Sequence, residues 1–302
     1  MKTNFLFMAF YTGKESTDGN VVKRYIGVAP VKVLAVNPTK AELEKIYNTT
    51  LDKDIDYTGV QEVNGENVKT VRIDFIVTTV GASDDESINL TTKVSYFLRN
   101  EKREKSDKSK VQVIDKYGNT AWVTPEQLDN HEIPVYKNNQ PATLDKDYRA
   151  AFYGEEDLTN FLKAYLNIPR SHKYVNGKWV LNDNPSESEA RLDTNDINAM
   201  FNGNFASIKE IIKYQPNNKV KVMFGVKTNK DGKRYQSAFT QMVLKSSIGD
   251  YSKLDAALKD RKDNGAYPTT EFSATPIKEY VVEATDIQDM PAASNPSDWF
   301  KK

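Results

Sequence analysis

Residues 219–244, KVKVMFGVKTNKDGKRYQSAFTQMVL, decide the fold class. Valine and phenylalanine alternate with lysine, methionine or glycine up to Lys227, and Thr228–Gly232 has the composition of a hairpin turn. This period of two residues places one set of side chains inward, Val220, Val222, Phe224 and Val226. It places Lys219, Lys221 and Lys227 outward. An isolated hairpin is only marginally stable in water, so strands elsewhere in the chain must complete its sheet.

The first part of the chain supplies those strands. Segments rich in Val, Ile, Phe, Tyr and Thr predict strands at Asn4–Tyr11, Val21–Leu34, Lys69–Thr79, Asn89–Arg99 and Val111–Ile114. Within Val71–Val77 the apolar residues alternate with Arg72 and Asp74, which predicts a half-buried strand. The polar stretch between Asn48 and Val68 has little pattern and predicts a loop.

Helical signals concentrate in the middle of the chain. Thr39–Glu42 has the form of a capping box and opens a predicted helix that runs to Tyr47. Apolar residues at helical spacing predict further helices after Gly154–Asp157 (ended by Pro169), at Asp196–Phe201, at Ala206–Tyr214 and at Tyr251–Lys262.

These patterns predict a β-rich α+β fold. The proposed organisation is one core domain, residues 1–282, interrupted by a helical insertion at residues 146–214. A flexible acidic tail follows at residues 283–302. Two consecutive domains are the rival organisation, and the strand character of residues 219–244 favours interruption.

Composition excludes several classes of protein. The 302 residues include no cysteine and two histidines, so disulfide scaffolds, thiol nucleophiles, thiolate zinc sites and multi-histidine metal sites are excluded. No apolar run approaches the ~20 residues that cross a bilayer, and Phe5–Tyr11 lacks a cleavage site for a secretory signal. We therefore expect a cytoplasmic protein without a membrane partner.

Cationic and aromatic side chains share the outward face of three predicted strand regions. Residues 93–116 carry eight basic and four acidic side chains, and residues 219–235 carry six basic residues and one Asp. Single-stranded nucleic acid is bound by such mixtures, because cations follow the phosphates and rings stack on unpaired bases. The predicted phosphate contacts are Lys23, Lys93, Arg99, Lys219, Lys221, Lys227 and Arg234, and the predicted stacking residues are Tyr25, Phe97, Trp122 and Tyr235. The alternative is an ordinary solvated sheet surface, on which Lys and Tyr are common.

Catalytic signatures are absent from the sequence. It contains no phosphate-binding glycine loop, no G-x-S-x-G and no H-E-x-x-H, and His131 and His172 are predicted to lie in solvent. Acidic groups at Asp54 and Asp56, residues 84–86 and residues 155–157 could bind Mg²⁺, although such runs are usually solvated loops or helix starts. We expect no cofactor, no metal and no enzymatic activity.

The C-terminal segment combines acidic and aromatic residues. Residues 281–300 contain no Lys or Arg, include four acidic residues, and end in Asp298, Trp299 and Phe300. Such a tail can lie in the basic groove of its own protein or place its aromatic tip in a pocket of a partner.

Together these features resemble the single-stranded DNA-binding proteins of tailed phages. The segment Gly154–Asn167, followed later by Lys219–Phe239, is similar to the versions carried by crAss-like gut phages. The resemblance implies an OB-fold core and cooperative coating of single strands during replication and recombination in the host cytoplasm. It also implies that Asp298, Trp299 and Phe300 contact replication proteins.

The predicted function is therefore non-enzymatic, sequence-independent binding of single-stranded DNA. The chief alternative is a structural or assembly protein of a phage virion, because β-rich chains with long polar loops suit that role equally well. A hydrolase with paired carboxylates and Mg²⁺ is the third possibility.

Overall fold

The structure is a computed structural model that describes residues 21–63, 66–81, 88, 90–115, 120–131, 148–167, 172–175, 178–181, 192, 194–214 and 216–283. The chain divides into two compact units: unit 1 is residues 1–57, 73–95 and 212–302, and unit 2 is residues 58–72 and 96–211. The fold is α+β and rich in strands, which confirms the predicted class. The predicted insertion, residues 146–214, falls almost entirely in unit 2, and its relation to a single core domain stays a prediction.

Fourteen strands and six helices lie within the described residues. The strands are β1 (Val21–Val36), β2 (Thr58–Val63), β3 (Glu66–Thr79), β4 (Thr91–Glu101), β5 (Val111–Ile114), β6 (Thr120–Val123), β7 (Arg149–Ala150), β8 (Phe152–Tyr153), β9 (His172–Val175), β10 (Lys178–Leu181), β11 (Lys219–Thr228), β12 (Arg234–Lys245), β13 (Thr270–Phe272) and β14 (Lys278–Glu283). The helices are α1 (Lys40–Tyr47), α2 (Pro125–Asp129), α3 (Glu155–Tyr165), α4 (Thr194–Phe201), α5 (Ala206–Tyr214) and α6 (Ser252–Asp263). The predicted strand at Asn4–Tyr11 and all of the predicted tail except residue 283 lie outside the described residues. Helix α3 ends at Tyr165, four residues before Pro169, which was predicted to end it.

Unit 1 contains a curled antiparallel sheet. Its strands pair in the order β12-β11-β1-β3-β4, and β13 and β14 pair with β11 and β1. The hairpin predicted at residues 219–244 is confirmed as β11 and β12. In its turn, the Asn229 side-chain oxygen accepts hydrogen bonds from the backbone N–H groups of Asp231 and Lys233, which holds the loop as an Asx-type turn.

The curl of this sheet includes a sharp change of partner within β1. Residues 21–26 pair with β14, whereas residues 27–32 pair with β11. Gly27 stands at the change with φ +120°, and a Cβ there would come within 2.8 Å of backbone atoms of residues 275–277. Only glycine tolerates both this conformation and this close approach.

Both faces of the unit 1 sheet carry buried residues. Val220, Val222, Phe224 and Val226 are fully buried on one face, as predicted. On the other face, α6 places Leu254 and Leu258 against Met223 in one apolar cluster.

Helix α1 packs near the far end of β3. The predicted capping box is present, because the Thr39 hydroxyl accepts from the Glu42 N–H and the Glu42 carboxylate accepts from the Thr39 N–H. Leu43 of this helix packs with Ile76 of β3. The strand predicted at residues 71–77 is confirmed as part of β3. The prediction that only one of its faces is buried is wrong, because the second face is also covered: Asp74 is 3% exposed and Ile76 is 1% exposed.

Unit 2 surrounds the second half of β4 with helices and short strands. Helix α3 buries Leu158, Phe161, Leu162 and Tyr165, and the Phe161 ring lies 5.5 Å from that of Tyr96 on β4. Strands β6, β5 and β7 form a small sheet, and β9 pairs with β10. His172 belongs to β9 rather than to the predicted loop, so that assignment is wrong.

The loop predicted between Asn48 and Val68 is also wrong in part. Strand β2 occupies residues 58–63 and pairs with β3, with Val63 opposite Glu66. The sequence Asn64-Gly65 between them is a strong hairpin signal. However, Gln61 and Glu62 interrupt the apolar alternation of β2, so the sequence pattern did not predict a strand there.

The start of α3 is organised by a buried ion pair. The Glu155 carboxylate, whose side chain is 3% exposed, accepts from both terminal nitrogens of Arg149 and from the Phe152 N–H. Gly154 precedes it with φ +83°, and a Cβ there would lie 1.9 Å from the Phe97 carbonyl oxygen. Glu155 therefore holds β7, β8 and the helix together instead of facing solvent, whereas Glu156 is exposed.

Candidate nucleic-acid interface

One face of the unit 1 sheet exposes lysines between its two helices. Opposed residues of antiparallel strands, and residues two apart along a strand, project from the same face. The register therefore places Met223, Lys221 and Lys219 of β11 on the same face as Lys32 of β1 and Ile76 of β3. Because α6 covers Met223 and α1 covers Ile76, the lysines between them lie on a strip of sheet that the helices leave uncovered.

Two of these lysines face each other directly. Lys32 is the register partner of Lys219 in the β1–β11 ladder, and both are exposed. Neither forms an ion pair within the described part of the chain. Like charges opposed across a ladder reduce stability, and a bound anion removes that repulsion. We call Lys32, Lys219 and Lys221 the cationic strip.

Lys221 is held more firmly than the other two. Its ammonium group donates to the carbonyl oxygen of Ile248 and lies 5.3 Å from the centre of the Tyr251 ring. An ammonium has three N–H donors, so the contact with Ile248 fixes the side chain and still leaves donors for an anion. Tyr251 adds a half-buried aromatic ring to this border of the strip.

The other end of the same strand carries a second cation–aromatic pair. Lys227 is opposite Tyr235, and the Asn229 amide donates to the Tyr235 hydroxyl at 3.2 Å. Burial and the nearby Asp231 carboxylate raise the pKa of Tyr235. Lys227 is six positions after Lys221, about 20 Å along a strand, and the intervening Met223 is covered by α6. This pair is therefore separate from the cationic strip.

Arg234 projects from the opposite face to Tyr235, because the two are consecutive in β12. Its guanidinium group lies 6.0 Å from the Tyr280 ring and donates to the Tyr280 hydroxyl at 3.4 Å. The Tyr280 hydroxyl in turn donates to the Glu271 carboxylate. Arg234 is thus engaged in a polar cluster with β13 and β14.

Two more predicted residues lie on β1 before its bend. The Gln236 side chain accepts from the Tyr25 N–H at 2.9 Å and donates to the Tyr25 carbonyl oxygen at 2.8 Å. The Tyr25 ring is half-buried. Lys23 is the register partner of Val281 in the β1–β14 ladder.

Lys93 has an acidic partner. Its ammonium group lies 3.9 Å from a carboxylate oxygen of Asp74, a residue that is 3% exposed. The charge of Lys93 therefore offsets a buried carboxylate, which makes Lys93 a weaker phosphate ligand than the lysines of the strip.

The remaining predicted residues belong to unit 2. The Arg99 guanidinium lies 4.4 Å from the Tyr153 ring, its register partner in β8, and burial lowers the pKa of Arg99. Phe97, two residues earlier in β4, is half-buried. Trp122 of β6 is also half-buried and opposite Gln112, between the buried Ala121 and Val123.

The structure thus brings together only some of the predicted residues. Lys219 and Lys221 form one group, Lys227 and Tyr235 a second, and Arg99 stands with Tyr153. Sequence reasoning missed Lys32, although its alternation with Val31 and Val33 has the same pattern as Lys219 and Lys221. That pattern marks an outward lysine but does not reveal which strand lies beside it.

Three further expectations concern the tail, metal ions and membranes. Asp298, Trp299 and Phe300 lie outside the described residues. Among the residues that the structure covers, no three His, Asp or Glu side chains gather as a metal site. In the same residues, no helix has the length and apolar character needed to cross a bilayer.

Comparison with known proteins adds no relative. No protein-family model, curated protein or solved structure matches this chain.

Proposed function

We propose that the chain binds single-stranded DNA without sequence preference, and that the cationic strip holds the phosphates. The observation that carries this proposal is the direct opposition of Lys32 and Lys219, two exposed lysines without an ion pair in the described residues. Repulsion between them costs stability, and a polyanion lowers that cost when it binds.

The shape of this face suits a single strand better than a compact anion. Lys219 and Lys221 are two residues apart, about 6.8 Å along β11, and Lys32 broadens the row across the ladder. The next outward position of β11 after Lys221 is Met223, which α6 covers, and α1 covers Ile76 in the opposite direction, so the helices lie at the two ends of the row. A nucleotide chain that passes between the helices crosses β11 and β1 over Lys219, Lys221 and Lys32.

The core that carries the strip is proposed to be OB-like. An OB-fold is a partly open five-stranded barrel, and five strands of unit 1 pair in a curled antiparallel order with a sharp bend at Gly27. In this proposal Lys227 and Tyr235 form a second contact with the strand. The acidic tail competes with DNA for the lysines and contacts replication proteins, as the resemblance to phage proteins implies. The protein has no enzymatic activity in this scheme.

The test measures binding of fluorescently labelled oligo-dT to the full chain across a series of salt concentrations. Three phosphate contacts predict a slope of log affinity against log salt of about −2 or steeper, since each contributes about −0.7 on a single strand. The double variant Lys32→Gln/Lys219→Gln is expected to have a shallower slope by about 1.4.

The matched control is Lys278→Gln. Lys278 is an exposed strand lysine of the same unit, on β14, and forms no ion pair within the described residues. It is expected to leave the slope unchanged. Absence of oligo-dT binding at low salt, or equal effects of the strip and control variants, would count against the proposal.

A further inference from the structure

A groove in unit 2 combines aromatic, amide and cationic side chains. It has a volume of about 680 Å³ and lies between the start of β3, the end of β4, β8 and α4. Pockets for small organic ligands span about 300–1,000 Å³, so the groove can accommodate a nucleotide. Its lining residues are Asn67, Val68, Lys69, Glu101, Arg103, Phe152, Asn198, Phe201 and Asn202.

The apolar part of the groove is formed by two phenylalanine rings. The centroids of Phe152 and Phe201 are 5.6 Å apart with their planes inclined by 43°, and both side chains are partly exposed. A partly exposed pair of rings at the wall of a polar groove offers a surface for a flat heterocycle. Stacking of a base on such a ring contributes about 1–3 kcal/mol.

Amide groups surround this apolar wall. Asn67 and Asn198 are exposed and make no side-chain hydrogen bond within the described residues. The Asn202 side-chain oxygen accepts from the Lys69 ammonium at 3.4 Å. Each amide offers both donors and an acceptor, the combination needed to bind the polar edge of a base.

The charged groups of the groove divide into cations and one carboxylate. Lys69 and Arg103 supply the positive charge, and Arg103 also donates to the Lys108 carbonyl oxygen at 3.1 Å. A carboxylate oxygen of Glu101 lies 3.9 Å from a terminal guanidinium nitrogen of Arg103. A phosphate is attracted to the two cations, whereas the carboxylate accepts from an exocyclic amino group.

We propose that this groove binds one nucleotide, with the base against Phe152 and Phe201 and the phosphate on Lys69 and Arg103. Glu101 selects bases that carry an exocyclic amino group. A neutral saccharide, the other common ligand of aromatic and amide side chains, has no negative charge to offer Lys69 and Arg103. The inference rests on the proposed function only where the nucleotide is part of a DNA strand.

The test uses two mononucleotides whose bases differ at position 4 of the ring and in the proton on the adjacent N3. Cytosine carries an amino group where uracil carries a carbonyl oxygen. Calorimetric titration of the full chain is expected to show dCMP binding about tenfold tighter than dUMP, from one hydrogen bond to a carboxylate. Deoxycytidine, which lacks the phosphate, is expected to bind more weakly than dCMP.

Matched variants localise the binding to the groove. Glu101→Gln is expected to equalise dCMP and dUMP, because an amide both accepts and donates. Asn198→Ala is expected to weaken dCMP several-fold, whereas Asn160→Ala, at an exposed position of α3 outside the groove, is expected to have no effect. Circular dichroism verifies that each variant is folded.

Two further measurements separate the sources of the nucleotide. Thymine has no exocyclic amino group, so oligo-dT binding reports on the cationic strip and dCMP binding reports on the groove. Tighter binding of oligo-dC than of oligo-dT assigns the groove to a DNA strand, and equal binding assigns it to a free nucleotide. Failure of dCMP to bind at millimolar concentration, equal affinity for dCMP and dUMP, or equal effects of Asn198→Ala and Asn160→Ala overturns the inference.

Discussion

Reversal of one charge in the cationic strip is expected to stabilise the protein and weaken its binding to DNA. Lys219→Glu replaces a repulsive cross-strand pair with an attractive one, because the introduced carboxylate would then oppose Lys32. Exposed cross-strand charge pairs differ by on the order of 0.5 kcal/mol. With a denaturant slope of about 2–3 kcal/mol per M urea, the midpoint of unfolding rises by about 0.2 M.

The same substitution removes a phosphate contact. One contact fewer makes the slope of log affinity against log salt shallower by about 0.7. At low salt the variant binds more weakly than the wild type. When the salt concentration rises fourfold, the factor by which its affinity falls is about 2.6 times smaller than the factor for the wild type. Urea unfolding followed by circular dichroism measures stability, and anisotropy of labelled oligo-dT at several salt concentrations measures the slope.

The control substitution is Lys278→Glu, which makes the same change of charge at a lysine opposite Ile26. Lys278 does not oppose another lysine, so this substitution is expected to leave the urea midpoint unchanged. It is also expected to leave the salt slope unchanged. The reasoning is refuted if Lys219→Glu retains the wild-type slope, or if it lowers the midpoint while Lys278→Glu does not.

Three other predictions concern the fold. Glu155→Gln is expected to lower the free energy of unfolding by about 3–5 kcal/mol, because it leaves the largely buried guanidinium of Arg149 without its charge partner. Glu156→Gln, at a side chain 76% exposed, is expected to lower it by less than about 0.5 kcal/mol. Urea unfolding of both variants measures the difference. Gly154→Ala is expected to lower the thermal midpoint far more than Gly203→Ala, since both glycines have φ +83° but only the first would meet a carbonyl oxygen at 1.9 Å. Burial raises the pKa of Tyr165 to about 12, so the folded state retains a proton that the unfolded state loses near pH 10. The contribution of this group to stability is therefore expected to be constant below pH 10 and to decrease from pH 10 to 12. Urea midpoints measured across that range test this expectation.

Local patterns were sufficient for the elements that are stabilised by neighbours in sequence. The capping box at Thr39–Glu42 and the turn at Thr228–Gly232 each satisfy their own backbone groups, so both could be recognised without tertiary information. The buried set Val220–Val226 followed from alternation alone. In contrast, β2 was missed because its polar residues weaken the alternation that predicts a strand. They are accommodated in the sheet because β2 pairs with β3.

The candidate sites depended on contacts that alternation does not encode. A period of two marks Lys93 and Lys219 alike as outward-facing. Only the folded chain distinguishes Lys93, which lies beside the buried carboxylate of Asp74, from Lys219, which opposes Lys32.

Alternating apolar residues, turn composition and helix caps were enough to establish a β-rich α+β chain with lysines on its outward strand faces. Tertiary structure alone decided which lysines meet across a ladder and which are compensated, and it alone assembled the unit 2 groove from residues 67–69, 101–103, 152 and 198–202. The physical reason is that side-chain direction follows from the local backbone, whereas strand register and helix packing are set by contacts between residues far apart along the chain.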